Sequence, residues 1–242
     1  LVLKAVEDYK NRLFTQSSRL FEKAIKVKED KMLEAYSLYW LGRSLYERNQ
    51  FDEALDAFKK FQKHPKKNQT EVSSRLLYDM AYIYFKLGEY DYALTFFEEF
   101  NSVNSSFDSS YQYDTFLRIG DCQFALKQYW PAMEFYNTAI ALNPDRGAYP
   151  MFQKGMSYGF VDRNNKKIET LVALTQTYLK SSLLDDALFE LASSQSREGN
   201  TVEAITSYNL LLIKFKNSPY IPRAALNKGL IFYAISSNLN TL

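Results

Sequence analysis

One imidazole and one thiol are all the sequence supplies of those groups: His64 in QKHPKKNQ and Cys122 in GDCQF. General-base or nucleophilic chemistry needs such groups beside activating partners. His64 lies in a polar connection before a proline and reads as a solvated loop histidine. Cys122 sits in a helical segment two residues after Gly120 and reads as a packed thiol, because no second histidine exists to activate it. The pair leaves no His-based or thiolate metal site and no internal disulfide. Carboxylate pairs are another source of acid–base chemistry. Glu98 and Glu99, and Asp185 and Asp186, are adjacent, so each pair splits across two faces of a helix. They read as solvated surface or helix starts. No GxxxxGK[ST] or GxGxxG phosphate loop occurs. The triplets NQT (68–70) and NSS (104–106) match a glycosylation acceptor, a pattern common by chance. The expectation is a chain that is not an enzyme and holds no cofactor or metal.

The totals read as those of a soluble, folded, near-neutral protein. Hydrophobic residues make up 46% and aromatics 16% of 242 residues, ample for a core, and 24% charged residues argue against disorder. A net charge of +2 from 30 basic and 28 acidic residues gives no broad basic face for nucleic acid or an anionic membrane surface. The longest apolar runs fall far short of the roughly 20 residues of a membrane span. The start, LVLKAVEDYKN, and the end, GLIFYAISSNLNTL, read as cuts in a longer protein.

The apolar spacing is helical nearly throughout, and the chain repeats itself. Segments 39–61, 78–100, 117–139 and 189–211 align without gaps. A small residue recurs in the first helix at Gly42, Ala81, Gly120 and Ala192. A second follows twelve residues later at Ala54, Ala93, Ala132 and Ala204, and a ring four beyond that at Phe58, Phe97, Tyr136 and Tyr208. Weaker copies begin at Gly155, with Lys167 in place of the alanine, and at Gly229, in a final first helix without its partner. FTQSSRLFEKA (14–24) fits a second helix whose first helix has been cut.

This pattern resembles the tetratricopeptide repeat over nearly the whole chain, best in 35–100 and 113–144. The resemblance implies an all-α, right-handed superhelical solenoid of antiparallel helix pairs, about twelve helices in all. Approximate repeats are 1–34 (partial), 35–73, 74–112, 113–147, 148–184, 185–221 and 222–242 (partial). Small residues let paired helices approach, so Ala81 and Ala93 mark a crossing point. Asn49, Gly88, Asp162 and Gly199 suit a left-handed end to the first helix, with Lys127 the exception. Asp52 and Asp91 suit N-caps of second helices, and Pro131 a first turn. Lys167 implies looser packing, or a slightly rotated helix, in 148–181.

Function in such arrays usually lies on the concave surface lined by first helices. Positions 2, 5, 9 and 12 of each repeat then form an aromatic groove suited to an extended peptide or a partner helix. The candidate partner-binding residues are Tyr39, Arg43, Tyr78, Tyr82, Phe85, Phe124, Phe152 and Phe189, with the rings at position 5 the best candidates for exposure. The carboxylate clamp of cochaperone members is not reproduced. Its positions hold Tyr39, Arg43, Asp79, Asp114 and Arg118, of which only Arg118 matches, and two acids would repel a carboxylate. KFKNSPYIPRAALNKGLIFY (214–233) and SSLLDDALFELA (181–192) are similar to bacterial envelope-associated repeat proteins of the BamD-like and Tol-Pal coordinator-like kinds. That similarity favours envelope or periplasm over cytoplasm. The reading is a protein-interaction scaffold with a protein or peptide partner, possible dimers of the fragment, no nucleic acid and no direct membrane insertion. Its rival is an oligomerisation segment of a larger protein whose activity lies elsewhere.

Overall fold

The computed structural model describes residues 1–27, 30–103 and 109–239, so the NSS triplet at 104–106 lies outside the described residues. The described residues form thirteen α-helices and three short 3-10 turns. The chain divides into two compact units, Leu1–Asp108 and Ser109–Leu242. The first unit holds α1 (Val2–Lys10), α2 (Phe14–Val27), α3 (Lys31–Glu47), α4 (Phe51–Lys63), α5 (Leu76–Leu87) and α6 (Tyr90–Val103). The second holds α7 (Ser109–Ala125), α8 (Tyr129–Leu142), α9 (Ala148–Phe160), α10 (Asn164–Thr177), α11 (Leu184–Arg197), α12 (Thr201–Lys214) and α13 (Ile221–Leu239). Within each unit every helix packs on the next, giving six antiparallel hairpins and a last helix, α13. The first hairpin corrects one expectation: α2 has its own first helix, the short α1.

One turn chemistry closes all six hairpins. Each first helix ends at a residue of positive φ: Arg12 (60°), Asn49 (59°), Gly88 (77°), Lys127 (61°), Asp162 (56°) and Gly199 (79°). The N–H that follows reaches back five residues, as in Gln50 N to Leu45 O at 3.0 Å and Gln128 N to Gln123 O at 2.8 Å. This is the Schellman arrangement, which satisfies carbonyls the helix end would orphan. Lys127 is therefore no conformational exception; it adopts the left-handed geometry at the steric cost a Cβ brings. Asp52 and Asp91 do not cap. They lie inside the first turns of α4 and α6, where their charge complements the helix dipole, and Gln50 stands at the cap of α4 without a side-chain bond. Asp30 is a true cap, accepting from Met32 N at 2.6 Å and Leu33 N at 3.1 Å.

The repeated residues form the core. Ala54, Ala81, Ala93, Ala132, Ala192 and Ala204 are buried, as are the rings Phe58, Phe97, Tyr136 and Tyr208. The first-helix glycine lies under the ring sixteen residues on. A Cβ on Gly42 would stand 2.5 Å from Phe58 Cε1, and one on Gly120 2.8 Å from Tyr136 Cε1. Lys167 does not loosen its hairpin. It is buried, its stem passes over Gly159, where a Cβ would come 3.0 Å from Lys167 Cδ, and its Nζ donates to Glu190 Oε2 at 2.7 Å. A glycine in the facing helix makes room for the stem, and a carboxylate from the next hairpin neutralises the head.

Candidate functional site

In the first unit, α3 and α5 run side by side as first helices of successive hairpins. Asp79, buried on α5, joins them: the Tyr39 hydroxyl donates to its Oδ2 and Arg43 Nη1 to its Oδ1. Arg43 also donates through Nε and Nη2 to the Tyr9 hydroxyl at 3.2 and 3.1 Å, tying in α1. Burial and the neighbouring Asp79 push the Tyr39 hydroxyl far above its ordinary pKa, so it stays a donor at any physiological pH. Tyr39 thus fails the expectation of exposure. It is 1% exposed, with its ring 5.6 Å from Phe58 and 5.7 Å from Phe61. Asp79, which the sequence presented only as a clamp mismatch, organises the site from beneath.

Above that floor lies a cleft of about 180 Å³ lined by Arg43, Tyr46, Phe58, Tyr78, Asp79 and Tyr82. Three candidate residues, Arg43, Tyr78 and Tyr82, meet there, together with Tyr46. Tyr78 and Tyr82 are half-buried, their rings 5.0 Å apart and each edged against Phe97, at 6.0 and 5.4 Å. Phe85, one turn on, is half-buried against Tyr90 at 5.5 Å and does not line the cleft. A space this size is below the range that holds whole cofactors and suits one inserted side chain. Its walls are aromatic and its charges, Arg43 and Asp79, neutralise each other. An apolar or aromatic anchor fits that chemistry better than a bare charge does.

The second unit places its candidates differently. Phe124 packs against Tyr129 at 5.5 Å and Phe160 at 5.7 Å, while Tyr129 and Phe160 stack at 4.8 Å. Phe160 is exposed, and the repeat pattern did not single it out. Phe152 is half-buried against the core of α10 to α12. Phe189 is 3% exposed, stacked on Tyr220 at 4.7 Å with the Arg223 guanidinium 5.1 Å from its ring centroid. The outward role expected of it is therefore corrected; neighbouring helices pack both of its sides. Position 9 holds Asp121, which accepts from Tyr136 at 3.1 Å, Tyr149 at 3.0 Å and Arg118 at 2.7 Å. Burial raises its carboxyl above the usual range, against the pull of Arg118 and the two hydroxyls.

Two other residues read from sequence are resolved by packing. His64 is not a solvated loop residue. Its side chain is largely covered, with Nε2 3.6 Å from Glu34 Oε2 and Nδ1 accepting from Lys66 N at 3.2 Å. Cys122 is a buried thiol. Among the described residues no His, Cys, Asp or Glu cluster has the geometry to hold a metal, and no helix is long and apolar enough to cross a membrane.

A family model described as tetratricopeptide repeat matches residues 113–146, and a second of that description matches 186–218. The model for anaphase-promoting complex, cyclosome, subunit 3 matches residues 9–100. No curated protein matches by sequence. The apo form of RapI superposes over 90% of this chain with a TM-score of 0.72 at 15% identity, and the match spans 65% of that structure's length. YrrB, described as a TPR protein with an unusual peptide-binding site, covers 86% of this chain at 19% identity, with 96% of its own length matched and a TM-score of 0.62. MamA from Desulfovibrio magneticus RS-1 covers 78% at 18% identity, with 98% of its own length matched and a TM-score of 0.64. Residues 113–146 and 186–218 thus match tetratricopeptide repeats, and the described residues form an all-helical fold similar to that of these solved structures.

Proposed function

We propose that this chain of tetratricopeptide repeats is a protein-interaction scaffold that seats a side chain of a partner peptide or helix between α3 and α5. The observation that carries this is the cleft where Arg43, Tyr46, Tyr78 and Tyr82 meet over Asp79. Its rings are held by edge contacts from the core, and its cation is held by Asp79 and Tyr9, so little side-chain entropy is lost on binding. A short segment anchored by one or two such contacts binds in the micromolar range, about −8 kcal/mol. The peptide-binding site in the similar YrrB supports a peptide as partner. The near-neutral charge supports protein over nucleic acid.

The finer setting, bacterial envelope assembly, rests on the similarity of 181–192 and 214–233 to envelope repeat proteins and is part of the proposal. A second reading, an oligomerisation segment within a larger protein, is favoured by the uncovered apolar face of α13. Affinity capture with the parent and with Tyr46→Ala/Tyr82→Ala, both verified as folded by circular dichroism, tests the first reading. A partner lost only by the variant supports the cleft; equal capture by both removes it.

A further inference from the structure

Helix α13 has the phase of a first helix, and among the described residues its main packing is on α12 and α11 behind it. In earlier hairpins a ring of the second helix fills the space over the first-helix glycine, as Phe58 does at Gly42 and Tyr136 at Gly120. Gly229 follows Ala192 by 37 residues, as Ala192 follows Gly155. A Cβ on Gly229 would meet nothing within 4 Å. Beside it Leu226, Leu230 and Tyr233 are 62%, 56% and 73% exposed. The result is an apolar helix face with a notch at its centre.

The same face also carries the matching knob. Second helices here present a small residue and, four residues later, a ring, as in Ala54 and Phe58 or Ala132 and Tyr136. Gly229 and Tyr233 repeat that spacing on α13. One helix thus holds both halves of the hairpin contact, the notch of a first helix and the ring of a second. We propose that this face binds a second copy of the chain, α13 lying antiparallel on α13 of the copy, with each Tyr233 ring over the other copy's Gly229. The contact is isologous, so it closes as a twofold dimer. The twofold axis passes level with Ile231, which sets Leu226 level with Ser236 of the copy. Charge selects the antiparallel sense. Arg223 and Lys228 both lie in the first half of α13, which has no acidic residue. An antiparallel pair keeps the two cationic halves at opposite ends, whereas a parallel pair would set like charges side by side.

Sedimentation velocity over a concentration series tests this, with the parent beside Gly229→Leu and Tyr233→Ser. Leucine at 229 enters open space and favours helix, so that variant should fold at least as well as the parent. The parent should show a concentration-dependent dimer, with Kd raised at least about tenfold in both variants. Leu226→Cys protein mixed with Ser236→Cys protein should form a disulfide-linked dimer under mild oxidation. A parent that stays monomeric at every concentration overturns the proposal, as do variants that associate like the parent. A monomeric parent that instead takes up a synthetic peptide of residues 129–142, and loses it on Gly229→Leu, also overturns it and assigns the face to a foreign helix.

Discussion

The Tyr136 hydroxyl donates to Asp121 Oδ1 at 3.1 Å across the α7–α8 hairpin, and Tyr208 pairs with Ser193 Oγ at the same distance across α11–α12. Both pairs are fifteen residues apart, linking the residue after the first-helix small position to the second-helix ring. In the hairpins whose ring is Phe58 or Phe97, that position holds Arg43 or Tyr82, and both line the cleft. A phenylalanine ring makes no hydrogen bond to that position, whereas a tyrosine hydroxyl bonds the residue there.

Tyr136→Phe removes one hydrogen bond while Asp121 keeps Tyr149 and Arg118. The expected loss is about 1 kcal/mol in urea denaturation. A loss above about 3 kcal/mol would instead point to a disturbed packing of α8.

The raised Asp121 pKa means the folded protein binds this proton more tightly than the unfolded chain does. Its contribution to stability therefore grows as pH falls from neutrality through the raised value, and is complete below the ordinary aspartate value. Asp121→Asn has no such group. The Tm difference, parent minus variant, should shift in the parent's favour between about pH 7 and about pH 4. A shift the other way contradicts the assignment of burial as the dominant cause.

Two alanine substitutions at glycines of equal phase should have opposite signs. Gly42→Ala drives a Cβ into the Phe58 ring and should cost about 1–3 kcal/mol. Gly229→Ala, melted at a concentration that keeps the chain monomeric, meets open space and should gain up to about 1 kcal/mol from helix propensity. Thermal melts of both variants decide it.

Lys167 and Glu190 form an ion pair whose lysine is almost wholly covered. Glu190→Ala leaves a buried ammonium without its partner, whereas Lys167→Met keeps the volume and removes the charge. Chemical denaturation should find Glu190→Ala the more destabilising of the two. The reverse order would mean the pair contributes net stability through attraction.

The hairpins were legible because their signals are local: a small residue, a left-handed turn and a ring at constant distances. The Lys127 turn escaped because backbone geometry there is imposed by the Gln128 to Gln123 bond, whatever the residue type. α1 escaped because nine residues carry too little of the pattern. Site residues were half legible. Arg43, Tyr78 and Tyr82 share the cleft as their phase predicts, but phase cannot say which rings the next helix covers. Asp79 captured Tyr39, and Tyr220 with Arg223 closed over Phe189. Asp79 and Arg223 lie in the following repeat and Tyr220 at the far end of Phe189's own, contacts that the phase within one repeat does not encode.

The most direct test of the interaction-scaffold account is photo-cross-linking with a benzophenone side chain at Tyr46, beside a control at the exposed Lys59 on α4. The account predicts one discrete cross-linked partner from position 46, none from position 59, and competition by a peptide from that partner. Equal products from both positions, or a partner captured only at 59, would contradict it.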